Sequence, residues 1–169
     1  MRTVEEAADR QYAYILCATK CIPEVLSTPT ILQPLLSYLS DHPVAAPSPT
    51  TVVLLQNGVG IEDDLIAYLT SENLSSQVVV TSACAWVDTT AIDGGKKVTQ
   101  FGTEKLVLGV HHFNDGMKIE GKKALKGFCD ILKLAGTEAV QVDDIDAARW
   151  RKVLWYVSLH IYSPLGTNR

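Results

Sequence analysis

The chain has 169 residues, a formal charge of −4 and 47% hydrophobic side chains, a composition with enough apolar material for one globular core. Mixed, mildly acidic charge leaves no electrostatic footprint for nucleic acid. No apolar run approaches the roughly 18 residues of a membrane span.

Residues 1–10 are charged and acidic, unlike a signal or transit peptide, so a cytoplasmic, reducing location is expected. Cys17, Cys21, Cys84 and Cys129 stand in apolar surroundings without a CxxC. They read as buried thiols, and no metal site is expected. Residues 4–10 read as the end of a short polar helix. The run YAYILCA at 12–18 suits a strand buried on both faces. Apolar residues at 31, 32, 35, 36 and 39 predict a helix, and the three prolines of 41–50 predict a loop. A second buried strand is expected over 51–56 (TVVLLQ), broken by Asn57-Gly58-Val59-Gly60, with helical spacing resuming over 61–69. A third strand, rich in Val and small residues, covers 77–85. This β-α-β-α-β order predicts a parallel sheet with helices on its faces.

The pattern then changes. AIDGG at 91–95 signals a turn, and 97–101 with 105–109 reads as a strand pair around Gly102. A long amphipathic helix is expected over 118–135, ended by Gly136. A short strand follows over 138–142, and Asp143 or Asp144 can cap a last helix over about 145–160. Basic residues gather weakly at 118–126 and 149–152, and both groups read as solvated helix faces.

A doubly wound nucleotide domain opens on a strand, a glycine-rich turn and a helix, so that pyrophosphate meets backbone N–H groups at the helix N-terminus. The sequence contains no GxGxxG. Gly58-x-Gly60 is the nearest approach, lacks the third glycine and follows a later strand, so it reads equally as an ordinary β–α turn. From the residues alone, an α/β fold with a ligand-facing turn follows, and no reaction does.

Several segments, taken in order, resemble ketopantoate reductase (2-dehydropantoate 2-reductase). They are YILCATK at 14–20, QNGVG at 56–60 followed by acidic residues, TSACAW at 81–86, Gly94-Gly95 with QFG at 100–102, and DIDAARWRKVLW at 144–155. The variants look like those of fungal members. The resemblance implies an α/β fold with a partial Rossmann-like parallel sheet, the later half of an NADP-binding domain, over 1–142. The first helix of a C-terminal all-α domain would occupy 143–169. It implies NADPH-dependent reduction of a 2-keto acid, ketopantoate to pantoate or a related substrate.

Lys152 matches the family's general acid. An arriving hydride leaves an alkoxide, and a cation there stabilises it and supplies the proton. Without the resemblance Lys152 reads as a solvated lysine. Asn57, with Gly58, stands at the carboxyl end of a parallel strand, where such sheets bind ligands. Its amide can donate and accept toward a nicotinamide or keto acid, or it is a turn asparagine with left-handed backbone. Lys20, at the equivalent end of the preceding strand, is a cofactor contact or a surface lysine. Ala85 or Trp86 lines the cofactor or packs in the core.

The departures carry expectations too. The first half of the nucleotide domain, with its phosphate loop, and most of the helical domain have no counterpart in the sequence. Tyr156 and His160 stand where the family has asparagines, and the pattern is lost from about 156. The alternative reading is therefore an inactive fragment or pseudoenzyme from a truncated gene model, its tail read through an intron beginning at Val157-Ser158. Association with itself or with a full-length paralogue, and turnover too low to measure from the chain alone, are further expectations.

Overall fold

The computed structural model describes residues 3–42 and 48–162. A capped turn of helix, α1 (Val4–Ala7), leads into β1 (Tyr14–Cys17), α2 (Thr28–Asp41), β2 (Thr50–Leu54), α3 (Asp63–Ser71) and β3 (Val78–Ile92). A 3-10 turn at Asp93–Gly95 reverses the chain into β4 (Lys97–Val110), and α4 (Lys118–Leu134), β5 (Glu138–Gln141) and α5 (Ile145–Tyr162) complete it. The strands form one sheet in the order β1-β2-β3-β4-β5. β1, β2 and β3 run parallel, with Leu16 opposite Val53 and Val52 opposite Val80. β4 returns antiparallel along β3, and β5 pairs parallel with β4.

The burial pattern follows from this order. β2 is central and all five of its residues are buried, the reason its sequence is a continuous apolar run rather than an alternating one. Val52 and Leu54 point to one face, where Leu32, Leu36 and Leu39 of α2 and Leu65 and Leu69 of α3 pack. Val53 points to the other, where Val79, Leu108, Leu125 and Cys129 gather under α4. The result is a helix–sheet–helix sandwich of the partial Rossmann-like α/β class. Each fully buried leucine contributes about 1.5–3 kcal/mol relative to exposure. The four cysteines are free thiols, three of them buried. Among the described residues, no helix is long and apolar enough to cross a membrane.

Two sequence expectations are corrected. β1 is not buried on both faces, because it is the edge strand of the sheet, and Leu16 is 53% exposed. Residues 97–101 and 105–109 are not two paired strands but a single strand, β4, whose partner is β3 along its full length. β3 continues beyond Ala85 to Ile92 because Trp86, Val87, Thr89 and Thr90 favour extended backbone. The reversal is made by Asp93, Gly94 and Gly95, all at positive φ. Gly102, also at positive φ (71°), marks an irregularity where the register shifts between Trp86 and Asp88, the usual meaning of a glycine inside a strand. The proline-rich loop expected over 41–50 and the tail beyond 162 lie in part outside the described residues.

Candidate active site

The carboxyl ends of β1, β2 and β3 share one edge of the sheet, and the segments leaving β1 and β2 are tied together by a buried glutamine. Gln56 is 3% exposed. Its Nε2 donates to Thr19 Oγ1 in the loop after β1 (3.2 Å), and its Oε1 accepts from Thr28 Oγ1 at the start of α2 (3.3 Å). The chain then turns sharply. Gly58 sits at φ 125°, and a Cβ there would lie 2.6 Å from Ile61 Cγ2, so only glycine fits.

α5 crosses this edge. Asp144 caps it, its Oδ1 accepting from the Ala147 N–H at 2.8 Å. Ile145, Arg149, Lys152, Val153 and Tyr156 follow at helical spacing and form one face. Arg149 is 2% exposed. Its Nη1 donates to the carbonyls of Gln56 (3.1 Å) and Gly58 (2.8 Å), and its Nη2 to Ser82 Oγ (2.6 Å). The guanidinium thus clamps α5 to the turn after β2 and to β3. The solvated face expected for 149–152 is corrected at this residue, because its donors are the groups that satisfy the turn's carbonyls.

One turn further, Lys152 Nζ donates to Asn57 Oδ1 at 2.7 Å. A cavity of about 290 Å³ opens beside this pair, lined by Asn57, Gly58, Cys84, Lys152, Val153 and Tyr156 among others. Trp86 and Trp155 meet edge to face, ring centroids 5.3 Å apart. Burial lowers the Lys152 pKa, Cys84 acts in the opposite sense and Arg149 adds to the lowering. The Cys84 thiol is pushed up by burial, with Arg149 and Lys152 offsetting part of the rise. A lysine with a depressed pKa beside a small cavity is a group able to give up its proton.

Of the residues singled out from the sequence, Lys152, Asn57 and Gly58 come together at this cavity. Lys20 is exposed in the loop after β1 and does not line it. Ala85 does not line it either. Side chains alternate across a strand, and on β3 it is Cys84 that points to the cavity. Arg149, Gln56, Ser82 and Cys84 are the residues that sequence reasoning missed. Its spacing sets Arg149 on the same helical face as Ile145 and Lys152 but does not reveal its burial.

The fold has a counterpart among solved structures. At the level of the fold, the chain is similar to part of a 2-dehydropantoate 2-reductase. The crystal structure of that enzyme from Methylococcus capsulatus superposes with a TM-score of 0.56 at 20% sequence identity, over 90% of this chain and 41% of that one. The chain therefore spans less than half the length of that structure. No protein-family model matches the sequence, and no curated protein matches it.

Proposed function

We propose that the chain carries the nicotinamide- and ketone-facing side of an NADPH-dependent 2-keto-acid reductase site, of the kind that reduces 2-dehydropantoate or a related substrate. The observation that supports this most is the 2.7 Å bond between Lys152 and Asn57. Two residues 95 positions apart, each implied by the resemblance, meet at the carboxyl edge of the sheet. The fold of the similar reductase supports the same reading.

The residues present suit such a cofactor. Asn57 commits Oδ1 to Lys152, which leaves its Nδ2 to donate to a carboxamide or keto-acid oxygen. A cavity of about 290 Å³ admits a small planar group. NADPH, when bound, supplies the hydride. Lys152 holds the substrate carbonyl oxygen, stabilises the charge that develops there and transfers its proton to it, then recovers a proton from water. Arg149 keeps a second positive charge behind Lys152 and fixes the turn that presents Asn57. Gly58 allows the close approach, and Lys20 at the end of β1 is a further cofactor contact. Cys84 takes the wall position expected of Ala85.

On this reading residues 1–142 are the cofactor-binding part and the segment from 143 begins a helical domain. Exposed Trp150, Leu154, Trp155 and Val157 on α5 support association with a further copy or a longer relative. The test is titration with NADPH followed through Trp86 and Trp155 fluorescence, then NADPH oxidation on adding 2-dehydropantoate. Lys152→Met is expected to keep cofactor binding and to lower whatever turnover the chain shows about 10²–10⁴-fold. Absence of NADPH binding, or turnover indifferent to Lys152→Met, overturns the proposal.

A further inference from the structure

Apart from the residues that line the cavity, and within electrostatic reach of Arg149, three elements converge on a second cluster. Glu62 immediately precedes α3, His111 immediately follows β4 and Asp146 lies in the first turn of α5. His111 Nδ1 is 3.8 Å from Glu62 Oε1 and 3.6 Å from Asp146 Oδ1, and the three candidate ligand atoms lie within 4.8 Å of one another. These separations are too long for direct hydrogen bonds. The two distances from His111 are a few tenths of an ångström wider than the roughly 3.4 Å between ligands of a tetrahedral ion with bonds near 2.1 Å. The Asp146 side chain is 63% exposed, so it is free to close that gap.

Glu62 supplies an independent observation. Its side chain is 9% exposed, yet its Oε2 is buried with no hydrogen-bond partner, a costly arrangement for a carboxylate. The charges acting on His111 come from Glu62, Asp146, Arg149 and Asp63. Three carboxylates against one guanidinium leave two negative charges, the complement of a divalent cation. The other ring nitrogen is already held. His111 Nε2 lies 2.7 Å from Ser82 Oγ, an oxygen that also accepts from Arg149. With the proton on Nε2 and donated to Ser82, the Nδ1 lone pair is left for a metal, the orientation that ligating histidines adopt.

We propose that Glu62, His111 and Asp146 form a divalent-cation site that joins the start of α3, the end of β4 and the first turn of α5. One imidazole and two carboxylates select a first-row transition ion such as Zn²⁺ over Mg²⁺ or Ca²⁺, which prefer all-oxygen shells. Water completes the coordination. The site departs from the sequence expectation of no metal because its ligands stand 35 and 49 residues from one another and meet only in the fold. It is independent of the reductase reading.

The test uses chelator-treated chain titrated with ZnCl₂ by calorimetry and with CoCl₂ by visible absorption, alongside thermal melts. One ion per chain, with a raised melting temperature, is expected. Asp146→Asn, at an exposed position and so without consequence for folding, and Glu62→Gln should each weaken binding about tenfold or more. Ser82→Ala, which releases both His111 Nε2 and one arm of the Arg149 clamp, should weaken it as well. No stoichiometric binding would mean that Glu62 instead turns to the neighbouring guanidinium, and overturns the proposal. So would binding unchanged in Asp146→Asn and Glu62→Gln, or a thiolate-to-cobalt band pointing to the cysteines.

Discussion

Arg149→Met removes the guanidinium while keeping a stem of similar length, and its effect can be worked from the clamp. Three charge-assisted bonds are lost, each contributing about 1.5–3 kcal/mol. Against that, a cation no longer has to be stripped of water, a relief of several kcal/mol. These two largely cancel. What remains is the cost of groups left behind: the Gln56 and Gly58 carbonyls lose their donor. At about 1–3 kcal/mol per orphaned buried group, the net loss is about 2–6 kcal/mol. Urea denaturation reads it directly, as a midpoint lower by about 1–3 M at a slope near 2 kcal/mol/M. Arg149→Lys should recover little, since an ammonium cannot span two carbonyls and a hydroxyl with the planar fork. A Met variant within about 0.5 kcal/mol of the parent would refute the reasoning, because desolvation would then have cancelled the whole clamp. Full recovery by lysine would refute it differently, by showing that charge alone matters.

Three further outcomes are expected. Lys152, its pKa lowered by burial from the ordinary 10.5, should lose its proton at a lower pH than a free lysine. Its charged form opposes folding near neutrality, and that penalty shrinks as pH rises from the folded-state pKa and is gone above the ordinary 10.5. Competitive acylation read by mass spectrometry checks this, and half-modification at or above the free-lysine pH counts against it. Gly58→Ala should cost about 1–3 kcal/mol from positive φ and the contact with Ile61; an unchanged melt would mean that the turn relaxes freely. Leu65→Ala, at 0% exposure in the α3 layer, should cost about 2–5 kcal/mol in chemical denaturation, and a loss below 1 kcal/mol would mean that the layer collapses around the cavity.

Periodicity made the parallel half of the fold legible. The apolar run of β2 and the helical stripe of α2 each report burial on a face, and the face is set by residues close in sequence. β4 was read as two strands because Gly102 signals a break without saying whether the chain turns or only bulges. That choice is made by β3, which lies across the hairpin and supplies partners on both sides of the irregularity. The site was legible where a motif fixed it, at Asn57 and Lys152. Arg149 was not, since a charged residue on an amphipathic helix is ordinarily solvated. Its burial depends on two carbonyls that a turn more than 90 residues earlier leaves open. Ala85 missed the cavity by one position, the whole difference between the two faces of a strand.

The spacing of contacts along α5 has a mechanical consequence. The helix is seated first at Ile145, against Gly109, where an added Cβ would lie 2.6 Å from the Ile145 Cβ. Lys152 stands seven residues further, about 10 Å along the axis. A tilt of about 5° about Ile145 would swing it by about 0.9 Å over that distance. The 2.7 Å bond to Asn57 would then stretch to about 3.6 Å, outside hydrogen-bond range. Arg149 moves the pivot. Only three residues, about 4.5 Å of rise, separate it from Lys152, so the same tilt displaces the amine by about 0.4 Å. The bond survives that swing at about 3.1 Å. The buried arginine is thus a fulcrum that halves the lever arm of the helix, and it holds the lysine within reach of its partner through motions that a helix seated only at its end would not absorb.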